Sequence, residues 1–272
     1  MVPEERVASV DIWQLMIQFV FRLTMGVALA MWLTSPKLVT SGFFRVHLWV
    51  LLGLNTFAAL AVYSQQESFG AAGLNDRWLF RLAVGLVVAS YVGSVIWLYE
   101  RSRLGQGLLV LVTLAGLMAA SLATPWQTVR DPAGAVLTFL DLLTGGGLLG
   151  ATLAAMFLGH WYLNTPTMQL APLRRLVIWM AIMLLARAAV CGLGTVWQAN
   201  HSVDVSTMFW AFVALRWLAG LLGTGWIAWL TWLTLKIPNT QSATGLLYAA
   251  VVMVFIGELT SQLLTLDAAY PV

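Results

Sequence analysis

Five ionisable residues interrupt otherwise apolar runs: Arg22, Asp141, Arg187, Arg216 and Glu258. Charge in an apolar medium is expensive unless paired, so such residues mark ion pairs, proton paths or binding sites. Two histidines stand within apolar runs of their own, in Arg45-Val-His47-Leu-Trp49 and Gly159-His160-Trp161-Tyr162-Leu163. A b-type haem in a helical bundle needs two neutral imidazoles facing each other from different helices at one depth, which makes His47 and His160 candidate ligands of the haem iron. Arg45, Arg174 and Arg175 are candidates for its propionates. A quinone head held by His and Tyr162 is the comparable alternative. The bland reading is that each histidine hydrogen-bonds at the membrane interface. His201, in Ala199-Asn200-His201-Ser202, is read as a solvated loop residue.

The elements that must position these side chains follow from composition. The chain has 272 residues, 60% hydrophobic and 9% charged. A soluble domain carries about 25% charged residues, so a water-facing surface cannot be built from this chain. The 14 basic residues are scattered between apolar runs, without the clustered face that nucleic acid requires. The single Cys191 excludes an intrachain disulfide and a multi-cysteine metal centre. Phosphate-binding glycine motifs, HExxH and GxSxG are absent. The expected fold is all-α, a polytopic membrane protein.

A hydrocarbon core of roughly 30 Å takes about 20 apolar residues per helix. Eight runs qualify, approximately 11–34, 43–64, 78–99, 105–124, 135–163, 174–197, 207–235 and 241–266. The connections between them are too short for a separate soluble domain, so a large catalytic unit must come from a partner subunit. The odd-numbered loops carry Lys37, Arg45, Arg101, Arg103, Arg174, Arg175 and Lys236, against Arg6, Arg77, Arg130 and the helix-edge Arg81 on the other side. Positive loops stay cytoplasmic, which places both termini outside the cytoplasm, in a bacterial inner membrane.

At about 1.5 Å of rise per residue, Arg216 and Glu258 lie roughly 12–13 Å from the outer end of their spans, and Arg187 and Asp141 fall in the same slab. Two arginines and two carboxylates at one depth neutralise each other. They form either a structural network joining four helices or a proton path, or else a polar solute or quinone-head site opening outward. Arg22 and Asn55 form a smaller N-terminal set, with Arg22 expected to meet helix-end carbonyls or a carboxylate from another helix and Asn55 read as helix–helix glue. Gly145, Gly146, Gly147 and Gly150 are read first as close helix packing, and Gly220, Gly223 and Gly225 as a matching smooth face.

The halves repeat weakly. A shift of about 130 residues carries Leu33, Pro36, Arg45 and Trp49 onto Leu163, Pro166, Arg175 and Trp179. A slightly larger shift carries Arg81, Gly85 and Trp97 onto Arg216, Gly220 and Trp232. The same matches also arise by chance among Leu-, Trp- and Gly-rich helices. If they are real, units 1–130 and 131–272 are parallel four-helix units within one transmembrane domain. That architecture resembles the membrane anchors of polysulfide-reductase type, which exchange electrons or protons with quinones. The resemblance is of architecture and covers no motif.

Three functions follow as expectations. The first is a membrane subunit of an electron-transfer complex, at most a quinone-reacting one, holding a quinone or haem b or conducting protons. The second is a small-solute or ion transporter. The third is a scaffold subunit of a membrane complex.

Overall fold

The computed structural model describes all residues except 1–3, 67–68, 70–74, 127–128, 130, 166–167, 202–206, 238 and 269, and the side chains of 4–11, 200–201 and 266–267. Arg6, Arg130, Pro166 and the His201 side chain therefore lie outside the described residues.

The chain is all-helical, and eight helices are long and apolar enough to cross a membrane. They are α1 (Glu4–Leu33), α2 (Ser41–Ser64), α3 (Asp76–Leu98) and α4 (Ser102–Leu122) in the first half. The second half holds α5 (Pro132–Asn164), α6 (Ala171–His201), α7 (Thr207–Lys236) and α8 (Thr240–Asp267). In hydrocarbon every backbone N–H must be satisfied within its own helix, and the apolar runs become helices for that reason. Polar residues set several of the starts. Asn75 accepts from Trp78 N–H, Asp131 from Gly134 N–H just ahead of Pro132, and Asn239 from Ser242 N–H.

Burial separates the helices into two kinds. The most apolar stretches of α1 and α5 are 78% and 89% buried, against 44% or less for the other six. Thus α1 and α5 form the axis, and the rest turn one face to their surroundings. Contacts run α1–α2–α3–α4 and back to α1, and α5–α6–α7–α8 and back to α5. The two circuits meet where α1 lies on α5 and, less extensively, on α8.

The α1–α5 approach is backbone on backbone. A Cβ added to Gly26 would lie 1.8 Å from Gly146 O, and one added to Gly150 would lie 1.8 Å from Gly26 C. Arg22 meets Asp141, and Gly26, one turn on, meets Gly146 and Gly150, so the two helices run side by side in one direction.

The glycines of α7 do not form one face. Gly220 abuts Gly257 of α8, whereas Gly225 lies against Leu184 of α6. Gly220 lies within Arg216–Gly223, which winds as a π-helix inside α7, whereas Gly225 lies in the α-helical turn that follows.

Gly26→Leu is expected to prevent the α1–α5 contact and to lower the melting temperature in detergent sharply, or to abolish folded protein. Gly85→Ala, with open space around its Cα, should leave that temperature within a degree or two.

Candidate functional site

The buried charges form one chain of alternating sign across five helices. Arg22 of α1 donates Nη1 to Asp141 Oδ2 of α5 at 2.7 Å. The other oxygen of Asp141 accepts from Arg187 Nη1 of α6. Arg187 then forks onto Glu258 of α8, Nε to Oε1 and Nη2 to Oε2, both at 2.9 Å. Arg216 of α7 lies 3.4 Å from Glu258 Oε1. Each carboxylate is thereby held between two guanidinium groups. None of the five residues is more than 2% exposed.

The network thus contains Asp141, Arg187, Arg216 and Glu258 together with Arg22. Arg22, which sequence position groups with Asn55, finds a carboxylate on another helix, one of the two partners expected for it. Asn55 instead accepts from Thr24 Oγ1 at 3.1 Å and donates to Leu51 O, a polar tie between α2 and α1. Arg22 reaches across the α1–α5 crossing because Gly145 leaves the space. A Cβ there would sit 2.5 Å from Glu258 Oε2 and 3.3 Å from Arg22 Nη1.

The remaining donors of the cluster are mostly spent. Arg187 also donates to Asp141 O at 3.2 Å and to Ser261 Oγ at 3.1 Å. Arg216 donates to Gly257 O, Cys191 Sγ and Val272 O at 3.1, 2.9 and 3.2 Å. Charge-assisted, forked hydrogen bonds of this kind are the strong ones, and in the absence of water they hold five helices in register.

One donor is left over. Arg22 Nε is buried and has no hydrogen-bond partner among the described residues. Arg22 and Asp141 line a small polar cavity of about 30 Å³ with Gln18, Thr124, Thr138 and Thr265. At roughly 10–15 Å³ per water centre, it has room for about two waters.

Residues after α8, which carry no motif or periodic pattern, close the cluster on another side. Tyr270 donates its hydroxyl to Asp131 Oδ2 at 2.7 Å, and Val272 O accepts from Ser261 Oγ at 2.9 Å. Pro271 presses on α6 at Gly194, where a Cβ would lie 1.6 Å from Pro271 O.

The histidines lie elsewhere, each with its own neighbours. His47 is buried, with Nδ1 2.6 Å from Phe43 O. A carbonyl only accepts, so Nδ1 is inferred to carry the proton and Nε2 to be the basic nitrogen. The Phe43 and Phe157 rings each lie 4.3 Å from the His47 ring. His160 is exposed and meets Tyr248 Oη of α8 through Nδ1 at 3.3 Å.

The other residues grouped with them by sequence diverge. Two positions along a helix turn about 200°, so Arg45 does not share a face with His47, nor Tyr162 with His160. Tyr162 is buried and donates its hydroxyl to Gln169 O, tying down the α5–α6 connection. Arg174 caps the end of α7 by donating to Leu235 O at 2.8 Å, and Arg175 lines a separate cavity with Thr34 and Trp179. Among the described residues, no group of three or more metal-ligating side chains occurs.

Compared with known protein families, curated proteins and solved structures, the chain matches none.

Removing one partner from a buried ion pair costs about 3–5 kcal/mol, because the other charge is stranded. Arg187→Met, which takes one of its two guanidinium partners from each carboxylate and cuts the chain of charges in two, is expected to reduce thermal stability more than any other single change in the cluster. The double change Arg216→Gln/Glu258→Gln should destabilise less than the sum of its single changes, a coupling that denaturation of all three variants measures.

Proposed function

We propose that this chain is an integral membrane subunit of a bacterial electron-transfer complex, and that it handles protons at the network from Arg22 to Arg216. The observation that carries this reading is the cavity on Arg22 and Asp141. It joins a fully buried carboxylate chain to a space large enough for water. A proton delivered by such a water would load Asp141 and release part of the hold of Arg22 and Arg187. Because Arg187 also grips Glu258, neutralising one carboxylate tightens the guanidinium on the other. The two carboxylates then load alternately rather than together.

In this reading both termini lie outside the cytoplasm of a bacterial inner membrane. The four-helix runs act as two parallel units, and further membrane or peripheral subunits supply the redox chemistry. A quinone or haem b belongs to the same reading at the level of His47 and His160, with His47 Nε2 the free basic nitrogen. An absorption spectrum of the purified protein, oxidised and dithionite-reduced, tests the haem. A Soret band that shifts on reduction and is lost in His47→Ala supports it, and a featureless spectrum removes it.

A transport reading draws on a different observation, the π-helical turn of α7 that begins at Arg216 beside the Gly220–Gly257 contact. Wide turns of this kind are frequent at functional sites and let a helix shift register.

Proteoliposomes carrying a pH-sensitive dye test the leading reading. Wild-type protein should pass protons down an imposed gradient faster than protein-free vesicles. Glu258→Gln and Asp141→Asn should lower the rate about tenfold or more, and Gly85→Ala should leave it unchanged. Equal rates in wild type and both carboxamide variants would sink proton handling and leave the scaffold role. Solute flux that vanishes in Glu258→Gln without a proton signal would favour transport.

A further inference from the structure

Far from the charge network, where α1 turns into α2 and α3 into α4, lies an open cavity of about 400 Å³. Lys37, Thr40, Ser41, Trp97, Glu100 and Ser102 line it. Its volume falls within the range of small-molecule sites. Its position is the level at which helices leave the hydrocarbon, since α1 ends at Leu33 and α3 at Leu98. Exposed Trp32, Trp49 and Tyr99 lie near the same helix ends, as aromatic side chains do at head-group depth.

Two residues of the lining, Glu100 and Lys37, point to a ligand. Glu100 adopts a left-handed backbone, φ 55°, the only non-glycine among the described residues to do so. It follows the C-cap of α3, where glycine is the usual occupant because it has no Cβ to clash. A carboxylate is thus kept where the backbone favours its loss. Among the described residues that carboxylate enters no ion pair, and it accepts only a long hydrogen bond from Ser41 Oγ at 3.5 Å. Lys37, also of the lining, is exposed and joins no ion pair among the described residues either. Trp97 forms the buried wall of the cavity, stacked on Phe44 at 4.1 Å with its indole edge against Gly105 of α4.

One cation, one anion and a rim of hydroxyls at head-group depth describe the complement of a zwitterion. We infer that this cavity binds a phosphoethanolamine head group, with its ammonium on Glu100 and the nearby hydroxyls and its phosphate on Lys37. A primary ammonium gives N–H donors to a carboxylate. A choline head has none to give, and a glycerol head lacks the cation. The inference stands apart from proton handling, because no residue of the network lines this cavity.

The full chain is reconstituted in nanodiscs of equal parts phosphatidylethanolamine, phosphatidylcholine and phosphatidylglycerol with the same acyl chains. Lipid retained after gentle detergent extraction is then counted by native mass spectrometry. Wild-type protein should retain phosphatidylethanolamine about fivefold over the other two, the scale of one exposed ion pair. Glu100→Gly should abolish that preference while its lipid-free melting temperature stays level or rises, since glycine suits the left-handed backbone. Lys37→Ala should weaken retention in the same direction. If soluble phosphoethanolamine displaces the retained lipid, the head group alone is recognised; if it does not, while the preference still depends on Glu100, the acyl chains contribute too. Equal retention of the three lipids by wild type, or an undiminished preference in Glu100→Gly, overturns the inference.

Discussion

A guanidinium group cannot be left unpaired in hydrocarbon, and three of them lie buried in this protein. Arg22, Arg187 and Arg216 each need a carboxylate, yet only Asp141 and Glu258 stand among them. The shortage is met by sharing. Every carboxylate serves two arginines, and the sharing draws α1, α5, α6, α7 and α8 to one place. Helix packing in a membrane lacks the hydrophobic drive available in water, so polar ties of this sort carry unusual weight. Much of the second half is arranged around satisfying Arg187.

That arrangement depends on α5 having almost no side chains where the neighbours arrive. Gly145, Gly146 and Gly147 are each about 100° apart around the helix, and each yields to something different. Gly145 makes room for the Glu258 carboxylate, Gly146 for the backbone of α1, and Gly147 for Met183 of α6. Three adjacent glycines weaken a helix in isolation. Here they let three separate partners reach the axis within one turn. Close packing and charge pairing are therefore one device in this protein.

The spans were legible because a membrane imposes a minimum apolar length that the sequence cannot disguise. Depth was legible for the same reason, since a constant rise per residue converts position into height. Height alone brought Asp141, Arg187, Arg216 and Glu258 into one slab. It could not reveal which helices touch, so for Arg22 a carboxylate from another helix stood as one expectation beside helix-end carbonyls, and Asp141 across the α1–α5 crossing could not be named. Rotation about the helix axis was the quantity the pattern carried least well. Arg45 and His47, or His160 and Tyr162, look like neighbours along the chain and face different surroundings in space. The cover formed by Tyr270, Pro271 and Val272 left no periodic signal at all, because it rests on irregular backbone seated against Gly194.

The pairing of Arg22 with Asp141 bears on how the chain is made. The two residues are 119 positions apart. At roughly 5–20 residues per second, α1 exists for about ten seconds before its counter-ion is synthesised. During that interval a charged helix must either wait beside the insertion machinery or hold Arg22 near water at the bilayer surface. Biogenesis should therefore be sensitive to anything that delays α5, and a ribosomal pause placed between α4 and α5 should leave α1 open to extraction and degradation.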